Sequence, residues 1–162
     1  MSMELSNKVR LILPDGSVKE VPRGARVMEV AEEIGPGLAR AAVAAKLEGK
    51  LVGLNHRLQH GGHLQILTFD SEEGRAVYRH STAHVLAQAV KRLYPDVKLG
   101  IGPATEDGFY YDFATDYKFT PADLERIEQE MRRIIKEDIP FERFAVERTE
   151  ALDLFDRLGE PY

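Results

Sequence analysis

Two histidines, His80 and His84, stand four residues apart in the run Arg79-His-Ser-Thr-Ala-His84. On a helix that spacing puts both imidazoles on one face, about 40° apart around the axis. Such a pair can bind one metal ion, orient one water, or grip one polar group of a substrate. Two polar helix residues with ordinary hydrogen bonds would look the same. No Glu follows the first His, so the metalloprotease arrangement is excluded. Next comes Gly100-Ile-Gly-Pro103, whose glycines let backbone approach a ligand closely. Thr105 stands where a dinucleotide fingerprint needs its third glycine, and no Lys-Ser/Thr follows, so a plain turn also accounts for it. In Gly108-Phe-Tyr-Tyr-Asp112, Tyr110, Tyr111 and Asp112 can stack on or hydrogen-bond a nucleotide. Alternating Phe109, Tyr111 and Phe113 equally read as one core-facing row of a strand.

Other constellations have simpler readings. His56, His60 and His63 around Gly61-Gly62 can be drawn as a three-His metal site, but a polar surface hairpin accounts for them more simply. Glu125, Glu128, Glu130, Arg132 and Arg133 read as the solvated face of a helix. No Ser-His-Asp order or paired catalytic carboxylates stand out.

The elements that must position these residues follow from periodicity. Ala76 to Tyr94 carries Ala83, Leu86, Ala87, Val90 and Leu93 on one stripe and ends before Pro95. Both histidines border that stripe, facing neither its centre nor open solvent. Leu99 to Phe113, rich in glycine and aromatics, predicts strands and turns. Thr120-Pro121 is an N-cap with a first-turn proline, and Asp123 is placed to assist it. Leu124, Ile127, Met131, Ile134 and Ile135 are the expected buried stripe of a helix ending before Pro140. Phe141 to Arg148 reads as a strand, and Thr149 as the cap of a helix over Glu150 to Leu158, stopped by Gly159. Ahead of all this, the first 69 residues read as strands around one helix. Lys8 to Leu13 and Ser17 to Val21 flank the turn Pro14-Asp-Gly-Ser17. Val27, Val30, Ala31 and Ile34 follow helical spacing, and Gly35-Pro-Gly37 stops the helix. Ala41 to Leu47, Leu51 to Leu54 and His63 to Phe69 complete a ββαββ-like order that suggests a small β-grasp domain.

The 162 residues are 43% hydrophobic and 30% charged, with a net charge of −5 and no cysteine. Disulfides and thiolate zinc sites are therefore excluded within this stretch. No apolar run approaches the roughly 20 residues a bilayer requires, and no signal-peptide core opens the sequence, so a cytoplasmic setting is expected. The first 69 residues hold 9 Lys/Arg against 7 Asp/Glu, the remainder 13 against 20. Neither part has a dense basic tract, so RNA contact would depend on local patches or a larger assembly.

Taken in order, these motifs resemble a known family. Leu13-Pro-Asp-Gly16 and Ile34-Gly-Pro-Gly-Leu-Ala39 resemble a TGS domain. Joined to Arg79-His-Ser-Thr-Ala-His84, Ile101-Gly-Pro103 and Gly108-Phe-Tyr-Tyr-Asp112, they resemble the N-terminal region of bacterial threonyl-tRNA synthetases, from Val9 to Tyr162. The resemblance implies an α+β fold: a ubiquitin-like β-grasp (TGS) domain over 1–69, a linker over 70–74, and the first part of a tRNA editing domain over 75–162. The parent enzyme would attach threonine to its tRNA using ATP. The editing module would hydrolyse serine wrongly esterified to the threonine tRNA. Such a second site is needed because one methyl group is worth only about 1–3 kcal/mol of discrimination.

By the same resemblance, His80 and His84 would position the attacking water and the terminal ribose, with His80 as base or orienting group. Tyr111 and Asp112 would line the amino-acid and adenosine side, and Gly102 would bring backbone near the substrate. No metal is expected at this site and no cofactor within the chain. ATP with magnesium and a zinc ion would belong to the synthetic domain of the parent. The expected partners are the acceptor end of tRNA(Thr) and the remainder of a homodimeric synthetase, with no membrane. The family's editing domain continues to a basic residue and a Cys-x-x-x-His element that this stretch does not contain. The stretch alone is therefore expected not to aminoacylate and to edit poorly, with Phe155 and Leu158 on an uncovered surface. The alternatives are a stand-alone TGS protein bound to RNA or the ribosome, and a trans-acting aminoacyl-tRNA deacylase.

Overall fold

A computed structural model describes residues 7–161, and by its internal contacts the chain divides between Tyr78 and Arg79 into two compact units. In the first, β1 (Lys8–Ile12) alternates exposed and buried side chains, which places Val9 and Leu11 in the core. It pairs antiparallel with β2 (Val18–Pro22), Val9 opposite Val21. The turn between them closes as expected: Leu13 and Ser17 share a backbone bond, and Asp15 accepts from the Ser17 amide at 2.9 Å. Gly16 takes φ 81°, a conformation cheap only for glycine.

Helix α1 (Val27–Ile34) lays Val27, Val30 and Ala31 on the sheet side. Gly35 caps the end of α1 as expected, but helical structure resumes directly after it. Pro36, with no amide hydrogen to satisfy and φ already near the helical value, opens a second short helix, α2 (Pro36–Ala41). Strands β3 (Ala42–Leu47), β4 (Lys50–Val52) and β5 (Gly62–Thr68) follow. The sheet order is β2-β1-β5-β3-β4, with β1 and β5 parallel. Its core gathers Leu11, Val21, Val30, Ala45, Leu58 and Leu64. This is the β-grasp arrangement, and the chain as a whole is α+β.

Helix α3 (Glu72–Leu93) starts earlier than its apolar stripe, inside the polar segment 70–74. Ser71 explains why: its hydroxyl accepts the Gly74 amide at 3.0 Å, an N-cap bond that lets polar residues begin the helix. In the second unit, α3 buries Ala83, Ala87 and Val90, and Leu86 and Leu93 pack half-buried beside them. Short strands β6 (Lys98–Leu99) and β7 (Phe113–Ala114) pair antiparallel, and Ala104 bridges Phe109 in the loop between them.

Helix α4 (Pro121–Glu137) has the expected Thr120 cap, reinforced by Asp123, which accepts from the Thr120 amide at 2.8 Å. Its buried face is rotated from the one its apolar residues predict. Ile127 and Ile134 are buried and Met131 partly so, but Leu124 and Ile135 are 61% and 64% exposed. Asp123 and Glu130 take the buried positions instead, because each finds partners there. The hydroxyls of Tyr94 and Tyr117 donate to Asp123, and Arg92 and Arg133 donate to Glu130.

Phe141 to Arg148 does not form a strand: among the described residues 141–147 pair with nothing in a sheet, and Phe141 and Phe144 are exposed. Helix α5 (Arg148–Leu158) is entered from Glu147 rather than capped by Thr149. Gly159 ends it at φ 67°, and Phe155 and Leu158 are exposed as the sequence suggested. No described helix is long and apolar enough to cross a membrane.

Candidate functional site

One helical turn of α3 brings the histidines into direct contact. Their Nε2 atoms lie 3.1 Å apart and the rings meet edge to face with centroids 4.6 Å apart. At that distance one Nε2 must donate and the other accept, so a single proton lies between them. Both residues are exposed, further toward solvent than the helical count implies. Partial burial of the His84 ring nevertheless lowers its pKa, and the nearby His80 lowers it further. His84 is therefore held as neutral imidazole around neutral pH, a form able to accept or donate one proton.

His84 lines an open groove of about 540 Å³ together with Gln88, Lys91, Leu99, Tyr111 and Phe141. His80 backs His84 and is not among the groove's lining residues. Tyr111 stacks on Phe113 at 5.0 Å, so one member of the alternating row faces the groove while Phe113 packs on the core. Burial raises the Tyr111 phenol pKa, and the charge of Glu160 raises it further.

Gly102 makes its close approach to its own chain, because a Cβ there would overlap the Tyr111 ring. Asp112 is exposed, and its backbone joins Gly100 and Ile101 in a ladder at 2.9 and 2.8 Å. Its side chain is not part of the groove wall. Arg79, the first residue of the histidine motif, donates to the carbonyls of Thr105 and Glu106 and so ties α3 to the loop that carries Phe109. Tyr110 is half exposed and lies outside the groove.

The sequence reading missed Gln88, Lys91, Arg92, Leu99 and Phe141. A signal existed for the first two: counting on from His84 at helical spacing reaches Gln88 and Lys91 on the same face. In the first unit, His63 Nδ1 lies 3.1 Å from Glu48 Oε1. Among the described residues no three His, Cys, Asp or Glu side chains gather as a metal site.

Residues 9–68 match the TGS domain family, so the first unit carries a TGS domain. Over nearly its full length the chain is similar to part of curated threonine--tRNA ligases. It is 58% identical over 154 residues to that of Desulforamulus reducens, covering 95% of this chain and 24% of the relative. The corresponding protein of Acetivibrio thermocellus is 52% identical over 154 residues, again 95% and 24%. That of Symbiobacterium thermophilum is 51% identical over 158 residues, 98% of this chain and 24% of the relative. The chain thus spans about a quarter of the length of these relatives. The chain is thus similar to an N-terminal stretch of threonine--tRNA ligases.

Proposed function

We propose that the second unit contributes to hydrolytic removal of serine from mischarged threonine tRNA, within a longer enzyme that attaches threonine to that tRNA. The observation that carries this reading is the 3.1 Å Nε2–Nε2 contact of His80 and His84 at the edge of a groove walled by Tyr111.

His84 faces the groove and would contact the reacting ester or its water. His80 would act through it, fixing which Nε2 carries the shared proton. In the reaction the water oxygen attacks the ester carbonyl carbon while its proton passes to a neutral imidazole. The bond from that carbon to the ribose oxygen then breaks, and the ribose oxygen takes the proton back. Serine and free tRNA are the products. Tyr111 would bound the amino-acid and adenosine side, Gly102 would let its ring sit there, and Asp112 would act from the rim.

In this reading the longer enzyme supplies the remaining pocket residues and contacts the acceptor end of tRNA(Thr). ATP with magnesium and a zinc ion belong to its synthetic domain, the enzyme is a homodimer, and it works in the cytoplasm. The test is serine release from seryl-tRNA(Thr), measured for this chain and for a longer protein that continues through the Cys-x-x-x-His element. The longer protein should deacylate, and His80→Ala should abolish most of that activity. Equal rates with and without His80→Ala would sink the reading. RNA binding without deacylation by either protein would favour a binding role for the TGS domain.

A further inference from the structure

Beyond α5, Gly159 turns the chain in a left-handed conformation, and the Glu160 amide closes back on the Phe155 carbonyl at 3.0 Å. That turn aims Glu160 at the groove. Its Oε1 lies 2.7 Å from Lys91 Nζ, and its Oε2 accepts the Leu99 amide at 3.3 Å. Its side chain is only 15% exposed. Beside it, Lys98 Nζ donates to the Gly159 carbonyl at 2.9 Å. No residue of α5 itself is fully buried, so these polar contacts are prominent in holding its end.

We propose that Glu160 is a positioning residue for the groove, its carboxylate fixing the wall that carries Lys91, Leu99 and Tyr111. Three observations agree. Glu160 bonds directly to two lining residues, Lys91 and Leu99. It lies near enough to the third, Tyr111, for its charge to raise that phenol's pKa. Lys91 is held from two sides, since its ammonium also donates to the Val97 carbonyl at 2.8 Å.

The neighbouring cation is committed too: Arg92 makes a two-pronged contact with Glu137 at 2.8 Å for each nitrogen, and a third bond to Glu130. With both cations neutralised, the wall suits an uncharged portion of a substrate, such as a ribose or an amino-acid ester, rather than a phosphate. What enters the groove rests on the hydrolytic reading above. The construction of the wall does not.

The test uses Glu160→Gln and Lys91→Met in the full chain, with Glu150→Gln as a control on exposed α5 surface. Amide exchange at Leu99 and the titration of Tyr111 are followed by NMR, and affinity is measured for a hydrolysis-resistant adenosine carrying a 3′-seryl amide. Loss of a charge-assisted bond should speed Leu99 exchange by about tenfold. Glu160→Gln should also move the Tyr111 titration to lower pH and weaken binding of the seryl amide.

Unchanged Leu99 exchange and an unchanged Tyr111 titration in Glu160→Gln overturn the proposal. Faster exchange with undiminished affinity, where the parent chain binds the amide, reduces Glu160 to a structural anchor and also overturns it. If the parent chain does not bind the amide, the affinity is read in the longer protein that continues through the Cys-x-x-x-His element; no binding there counts against the hydrolytic reading, and Leu99 and Tyr111 still decide the wall.

Discussion

The Tyr94 hydroxyl donates to Asp123 Oδ1 at 2.6 Å, and through that bond the end of α3 is joined to the first turn of α4. Asp123 also accepts from Tyr117 at 2.9 Å and from the Thr120 hydroxyl at 2.7 Å. The Tyr94 bond, followed by those of Thr120, holds the Asp123 carboxyl well below the usual carboxylate range. The same carboxylate is the largest cause that pushes the Tyr94 phenol up to about 12.

The pH dependence has a definite sign at each end. Tyr94 has a folded pKa above its ordinary 10.0, so its contribution is complete below pH 10 and is lost as pH rises toward 12. Asp123 is depressed, so its contribution is present above its ordinary 3.8 and fades as pH falls below that value. Denaturant unfolding across pH should show both losses. In Tyr94→Phe the alkaline loss should shrink, and an unaltered alkaline limb would count against this linkage.

The face of α4 can be tested by paired truncations. Ile127→Ala removes a buried side chain and should destabilise the second unit by about 2–5 kcal/mol. Leu124→Ala, at a mostly exposed position, should stay within about 0.5 kcal/mol of the parent. Equal costs for the two, measured by chemical denaturation, would mean that the helix buries a different face.

Gly102 is required by the ring beside it. Gly102→Ala places a methyl group where the Tyr111 ring lies, and accommodating it should cost about 1–3 kcal/mol. The Tyr111–Phe113 stack should loosen, visible as changed ring-current shifts. Retained stacking at full stability would contradict the close approach.

His84 should show a midpoint below its ordinary 6.5, and His80→Ala should raise that midpoint only in part, since burial is the larger cause. Proton-detected titration of the ring carbons measures this directly. Where seryl-tRNA hydrolysis is observed, its rate should fall as pH drops through the His84 midpoint, because the protonated ring can no longer accept a proton.

Much of this organisation was legible because it is local. The α3 stripe, the Asp15 turn and the Thr120 cap depend on residues within a few positions of one another. The rotated face of α4 was not legible, since burial of Asp123 and Glu130 depends on Tyr94 and Arg92, 29 and 38 residues away. Apolar periodicity alone assigns those positions to Leu124 and Ile135. The 141–147 segment has strand-forming residues, but a strand also needs a paired neighbour, which its own pattern cannot supply. At the candidate site, the histidine spacing announced the pair and the resemblance pointed to Tyr111. Glu160 gave no sign, because its role comes from Gly159 turning it toward a helix some 70 residues earlier in sequence.

The committed cations of the groove have a consequence for ionic strength. Nucleic-acid binding weakens with salt to the extent that phosphates displace counterions when they meet free lysines and arginines. Lys91 already has Glu160 as its counterion, and Arg92 has Glu137 and Glu130. A ligand portion seated in this groove would release no ions from them. Its affinity should therefore be nearly flat with added salt, and whatever salt dependence a whole tRNA shows must arise from other surfaces.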